Sequence, residues 1–219
     1  MTGLPEVPEE RAPPGLLARM PKVVTALALL MVAIQAGMSF LVPRLQPEIL
    51  DAFAVTPARF LSLAAMGRWP EALAELGGHA LLHGGWLHLF FNLMILLMAG
   101  EVVAERYGRS VLGALRFLAL FAASATAGAL TYVGLNPESP VPMVGASGAA
   151  CGLFAGYLMA ARPDWRQALR DPAVLQAGAY FLVANVGLAA VARIWGVLPI
   201  AWEAHLGGFI AGAALYPAL

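Results

Sequence analysis

A small set of polar residues with the chemistry of acyl transfer stands in strongly apolar parts of this chain. The set consists of His83, His88, Asn92, Ser147 and His205, with Gly145 and Gly148 in the turn around the serine. A serine hydroxyl with a histidine available as base is the minimum requirement for nucleophilic catalysis. Because polar side chains are costly in hydrocarbon, those on spanning segments are candidates for function. The residue types therefore predict an enzyme that works inside a membrane.

The composition predicts the membrane setting. The 219 residues are 60% hydrophobic and 12% charged, whereas soluble domains average roughly 25% charged residues. Residues 23–42 contain no charge, and about 20 apolar residues in a helix cross a ~30 Å hydrocarbon core. Zero net charge excludes a nucleic-acid-binding function, since no basic patch exists to neutralise phosphates. The lipid bilayer is the predicted partner surface.

The pattern of apolar runs predicts an all-α protein, a six-transmembrane-helix bundle. The predicted helices are 23–43, 86–106, 110–134, 147–162, 173–193 and 199–218. Residues 1–21, rich in proline and charge, predict a disordered cytoplasmic tail, and residues 22–219 form the predicted membrane domain. The segment 44–85 mixes charges with apolar stretches, which favours an amphipathic loop lying in the membrane interface between the first two helices.

The distribution of basic residues predicts the orientation. With a cytoplasmic N-terminus, four basic residues lie outside: Arg44, Arg59, Arg68 and Arg193. Nine lie inside: Arg11, Arg19, Lys22, Arg106, Arg109, Arg116, Arg162, Arg166 and Arg170. Because cytoplasmic loops are enriched in Lys and Arg, both termini are predicted to be cytoplasmic in a cell membrane, with the polar residues near the external face.

The predicted helices bring the polar residues to one depth. His88 and Asn92 share a face of the second helix, Ser147 begins the fourth, and His205 lies early in the sixth. All three helices run in the same direction. Two small-residue stripes would let the fourth and sixth helices approach closely: Gly148 with Gly152, and Gly208 with Gly212. We therefore expect Ser147 and His205 to meet.

The chemistry of such a site can be stated step by step. Neutral His205 would remove the Ser147 proton during attack on a peptide carbonyl and return it to the leaving amine. The candidate donors to the carbonyl oxygen are the Ser147 amide, Asn92 and His88, and Gly145 would permit a tight turn before the nucleophile. Glu203 lies nearly opposite His205 on the helix, which favours a Ser-His dyad.

At these residues the chain resembles the rhomboid family of intramembrane serine proteases. The motifs are Gly145-x-Ser147-Gly148, His83-x4-His88-x3-Asn92 and Ala204-His205-x2-Gly208-x3-Gly212, in family order over residues 79–212. The resemblance implies a six-helix core, transmembrane protein substrates cut near their external end, and no cofactor or metal. It also implies Ser147 as nucleophile, His205 as base, His88 and Asn92 at the oxyanion site, and structural roles for His83 and His79.

The chain departs from the family pattern at two places. Ala74-Glu75 stand about where many bacterial members carry a Trp-Arg pair, which leaves the anchoring of the first loop open. Cys151 stands where a tyrosine or phenylalanine often packs on the catalytic histidine. We therefore expect His205 to be held less firmly than in those members.

Other interpretations of the same residues remain open. The strongest is a catalytically silent relative that binds transmembrane helices without cutting them. Ser147 alone could be a helix N-cap, and a small transporter would show inverted-repeat halves. His79-x3-His83 has a spacing found in zinc sites, but the chain has no HExxH motif. The oligomeric state and the substrate are also left open by the sequence.

Overall fold

The computed structural model describes residues 20–196 and 200–219, which form an all-helical bundle. The helices of these residues are α1 (Lys22–Ala36), α2 (Gln46–Phe53), α3 (Pro57–Ala65), α4 (Trp69–Gly78), α5 (Trp86–Tyr107), α6 (Val111–Leu135), α7 (Ser147–Ala160), α8 (Trp165–Ala168), α9 (Pro172–Ile194) and α10 (Trp202–Leu215). A π-helical turn, Gly37–Leu41, extends α1, and His79–Leu81 forms a 3-10 turn. Residues 1–19 of the predicted tail lie outside the described part.

Six of the helices correspond to the six predicted spans, but they differ in length. Four are long and apolar enough to cross a membrane: Lys22–Leu41, Trp86–Tyr107, Val111–Leu135 and Pro172–Ile194. Helices α7 and α10 have 14 residues each, which at 1.5 Å per residue is ~21 Å. The predicted helices 147–162 and 199–218 are therefore longer than the observed helices, Ser147–Ala160 and Trp202–Leu215. Residue 199 lies outside the described part of the chain. Non-helical backbone at membrane depth is tolerated where protein encloses it or water reaches it.

Helix α7 lies at the centre of the bundle. Ten of its 14 residues are buried, and α5, α6 and α10 pack around it. The predicted glycine stripes of α7 and α10 meet: a Cβ on Gly208 would lie 2.9 Å from the Cα of Gly148, and one on Gly212 would collide with the backbone of Gly152. Only hydrogen fits at these points, so the glycines set the distance between the two helices.

Helix α9 lies at the edge of the bundle. Only three of its 23 residues are buried: Val174, Gly178 and Ala192. Its contact with the centre includes an aromatic stack in which Phe181 lies 4.2 Å from Phe154 of α7 and 5.8 Å from Phe209 of α10, measured between ring centroids. This helix therefore depends on few side chains for its position.

Residues 44–85 are largely helical, where the sequence predicted a loop. Helices α2, α3 and α4 are held together by Glu75, whose side chain is buried. Its carboxylate accepts a hydrogen bond from Arg59 Nε at 2.9 Å and one from the Thr56 amide at 3.3 Å. Arg59 also donates to Asp51 and to the Ala54 carbonyl. An ion pair between half-buried Arg59 and buried Glu75 thus anchors this segment, at the Ala74-Glu75 position where the sequence departs from the pattern it resembles.

The same segment is hydrogen-bonded to the chain that precedes α7. Val55 and Met143 exchange two backbone hydrogen bonds, of 3.0 and 2.9 Å. The Gly145 amide donates to the His79 carbonyl at 2.9 Å. The residues ahead of Ser147 are therefore positioned by the 44–85 segment as well as by their own helix.

Candidate active site

Ser147 is the first residue of α7 and follows a turn that only glycine adopts easily. Gly145 has a φ of +121°, a backbone conformation that side chains with a Cβ disfavour. Gly145 and Ala146 are buried, whereas Ser147 is half-buried. The first amides of a helix lack partners within the helix. The Ser147 hydroxyl therefore stands at a helix N-terminus that offers backbone N–H donors.

His88 and Asn92 of α5 converge on Gly145. A Cβ at Gly145 would lie 2.7 Å from His88 Nε2 and 3.7 Å from Asn92 Nδ2. Asn92 is buried, and its Nδ2 donates one hydrogen to the His88 carbonyl at 2.9 Å. Because an amide nitrogen carries two hydrogens, the second remains for another acceptor. The two predicted oxyanion residues and the predicted turn thus form one cluster, two residues before Ser147.

The hydrogen bonds of His88 indicate which ring nitrogen carries its proton. The Gly84 amide donates to His88 Nδ1 at 3.4 Å. An amide nitrogen can only donate, so Nδ1 accepts and the proton of the neutral ring sits on Nε2. Nε2 is the nitrogen that faces Gly145. His88 therefore presents an N–H donor to the turn before Ser147.

His205 is brought to the same region by the close contact of α7 and α10. A Cβ on Gly148 would lie 3.3 Å from the Ala204 carbonyl oxygen, and the Ala204 carbonyl also contacts Gly128 of α6. Ser147 precedes Gly148, and His205 follows Ala204. The two predicted reacting residues are therefore next in sequence to a backbone contact between their helices. Both are half-buried, which leaves them accessible to a substrate.

His205 has a partner that sequence analysis missed. Its Nδ1 lies 2.7 Å from Oδ1 of Asn185, on α9. Glu203, the acid nearest in sequence, instead accepts a hydrogen bond from Asn136 at 3.2 Å. The available signal for Asn185 was a lone amide side chain in the apolar run 181–192, but nothing in the sequence indicates which helix it faces.

His83 and His79 lie outside the spanning helices, on the segment that precedes α5. The buried His83 ring packs edge-on against His88, with 5.3 Å between the ring centroids. Burial lowers the pKa of His83 to about 4, and the nearby His88 ring adds to this effect. His79 is also buried, its Nδ1 lies 3.1 Å from the Glu75 carbonyl, and burial lowers its pKa. Both rings are therefore neutral near pH 7.

Comparison with known proteins adds independent information. The family model described as a rhomboid domain matches residues 70–219. The chain is 30% identical to Rhomboid protease GluP of Bacillus subtilis (strain 168) over 197 residues, which cover 85% of this chain and 34% of that protein. It is 29% identical to RHOMBOID-like protein 5 of Arabidopsis thaliana over 131 residues, covering 60% and 39% of the two chains. RHOMBOID-like protein 4 of the same plant is 30% identical over 135 residues, covering 61% and 31%. The chain spans about a third of the length of these relatives.

Proposed function

Because the chain belongs to the rhomboid family, we propose that it is an intramembrane serine endopeptidase that cleaves transmembrane-helix substrates. In this proposal Ser147 is the nucleophile and His205 is the base. The observation that carries it is the meeting of three distant segments at one place. Gly145 contacts His88 and Asn92, and the residue beside Ser147 contacts the residue beside His205.

The proposed reaction begins with proton transfer. His205 Nε2 takes the Ser147 hydroxyl proton while Oγ bonds to the scissile carbonyl carbon, and the carbonyl π electrons move to its oxygen. The carbon–nitrogen bond then breaks, and the amine leaves with the proton from His205. A water molecule then loses a proton to His205 and attacks the acyl ester carbon. The bond from that carbon to Ser147 Oγ breaks, His205 returns the proton to Oγ, and the new carboxyl end leaves.

Three donors are suited to the negative oxygen that forms in this reaction. They are the Ser147 amide, His88 Nε2–H and the second Nδ2 hydrogen of Asn92. The hydrogen bonds to Gly84 and to the His88 carbonyl fix both α5 side chains before substrate arrives. Donors held in advance stabilise a transition state without reorganisation, and removal of one typically costs 10²–10³-fold in rate, about 2.7–4 kcal/mol.

The membrane placement belongs to the same proposal. The excess of Lys and Arg on one side favours both termini in the cytoplasm of a cell, with the site toward the external face. Residues 22–219 would then form the membrane domain. Substrates would present a transmembrane segment whose external end reaches Ser147.

The nucleophile assignment is tested by labelling with a serine-directed phosphonate in detergent. Wild-type protein should be labelled and should cleave a transmembrane substrate, whereas Ser147→Ala should do neither, because the attacking oxygen is gone. The matched control is Ser62→Ala, which removes an exposed serine on α3 and should behave as wild type. A folded wild-type protein that takes no label would favour the silent, helix-binding relative instead.

A further inference from the structure

We propose that Asn185 is a positioning residue for His205, so that the catalytic machinery is a Ser-His-Asn arrangement spread over three helices. The inference rests on the proposed function, since it concerns the same histidine. It starts from the 2.7 Å contact between His205 Nδ1 and Asn185 Oδ1. Asn185 is half-buried on α9, and this contact links that helix to the site through a polar pair.

The orientation of the Asn185 amide is set by its own helix. Its Nδ2 donates to the Phe181 carbonyl at 2.8 Å. Because a carbonyl can only accept, the amide nitrogen must face Phe181 and the amide oxygen must face His205. The distance to His205 alone does not tell the oxygen of an amide from its nitrogen. The hydrogen bond to the Phe181 carbonyl makes that assignment.

The amide orientation determines the state of the histidine. An amide oxygen can only accept, so His205 Nδ1 carries the proton, and the neutral ring has its lone pair on Nε2. This is the form that can remove a proton from Ser147. When Nε2 gains that proton, the ring becomes cationic and its Nδ1–H donor strengthens. Asn185 thus selects the reactive tautomer, fixes the ring plane and stabilises the charged intermediate state.

Neither Cys151 nor Glu203 takes the place of Asn185 in orienting His205. Position 151, where a large ring could have packed on the histidine, holds a buried cysteine. Glu203 is engaged by Asn136. The His88 ring of α5 acts electrostatically on His205, but it is not the hydrogen-bond partner of His205 Nδ1. A neutral amide therefore orients the base without a carboxylate, which keeps a net charge out of the apolar bundle.

The test compares three variants for phosphonate labelling and substrate cleavage across pH. Asn185→Leu should slow both reactions roughly 10- to 100-fold, because the hydrogen bond to the imidazolium is lost. Gln176→Leu is the matched control. It removes an amide on the same helix whose Nε2 donates to the Tyr180 hydroxyl of that helix at 2.9 Å, and it should keep the wild-type rate.

Asn185→Asp separates positioning from a merely structural role. A carboxylate keeps the acceptor oxygen, so much of the rate should return at neutral and higher pH. Its charge favours the imidazolium, so the base loses its proton only at higher pH. The acid limb of the rate profile should therefore move upward by about one pH unit. An unmoved limb, or Asn185→Leu matching Gln176→Leu in rate, would overturn the inference while labelling of Ser147 still upheld the proposed function.

The protonated nitrogen gives a readout that does not depend on activity. In ¹⁵N-histidine NMR of Ser147→Ala in detergent, His205 should carry its proton on Nδ1, and Asn185→Leu should mix the two tautomers. A proton on Nε2 in the presence of Asn185 would refute the assignment. This measurement stands even if the wild-type protein takes no label, so failure of the proposed function and failure of this inference give different results.

Discussion

At the scale of single residues, the turn before Ser147 is constrained both by its backbone conformation and by its neighbours. Gly145 combines a φ of +121° with the close approach of the His88 ring. We predict that Gly145→Ala lowers the cleavage rate by about 10²-fold or more, because the added methyl must displace the ring of His88, the proposed oxyanion donor. The measurement is the rate of substrate cleavage and of phosphonate labelling in detergent.

The control for this substitution is Gly77→Ala on α4. A Cβ there meets nothing within 4 Å, and its φ lies outside the range that penalises a side chain. It should leave both rates unchanged. If Gly145→Ala retains the wild-type rate, His88 has no role in stabilising the developing charge, and the proposed oxyanion site must be built from other donors.

At the scale of helices, the approach of α7 and α10 positions the two residues proposed to react, and glycine makes that approach possible. A Cβ on Gly208 would collide with the Gly148 backbone, which cannot rotate away as a side chain can. We predict that Gly208→Ala destabilises the protein by about 1–3 kcal/mol through overpacking. It should also lower activity by moving His205 relative to Ser147. Thermal unfolding in detergent measures the first effect and cleavage the second.

Gly187→Ala on α9 is the matched substitution, since a Cβ there meets nothing within 4 Å. It should leave stability unchanged or raise it slightly, as alanine favours the helix. Equal unfolding midpoints for the Gly187 and Gly208 variants would contradict close backbone packing between α7 and α10. Both variants add one methyl group to a helix. In Gly208→Ala it meets the Gly148 backbone, whereas in Gly187→Ala it meets no atom within 4 Å.

At the scale of the whole molecule, the buried histidines outside the spanning helices make stability depend on pH. The pKa of His83 falls from an ordinary value near 6.5 to about 4 on folding because the ring is buried. Between these values the unfolded chain binds a proton that the folded chain does not. The free energy of unfolding therefore falls as pH falls through this window.

We predict a loss on the order of 2 kcal/mol from this ring between pH 7 and pH 5. Chemical denaturation in detergent at the two pH values measures it. The lowered pKa of His79 acts in the same direction, so His83→Gln should have a shallower pH dependence than wild type without losing it entirely. Identical pH dependence in the two proteins would show that His83 is protonated freely in the folded state.

The sequence alone was sufficient for the membrane class and the main helices, and it identified the polar residues that the structure gathers near Gly145. Apolar runs are long enough to identify helices, and a polar side chain in hydrocarbon is costly enough to stand out. His88 and Asn92 could be assigned to one helix face because the helical repeat is regular. The glycine stripes likewise predicted which helices approach, since small residues are required wherever two backbones touch.

Only the tertiary structure decided what depends on the rotation and depth of each helix. The short lengths of α7 and α10, the helical form of residues 44–85 and the ion pair of Arg59 with buried Glu75 all arise from contacts between distant segments. The same holds for Asn185, one amide in an apolar run, which could have faced lipid or protein. A helical repeat defines neighbours along one helix, whereas the pairing of Asn185 with His205 depends on how α9 is rotated against α10.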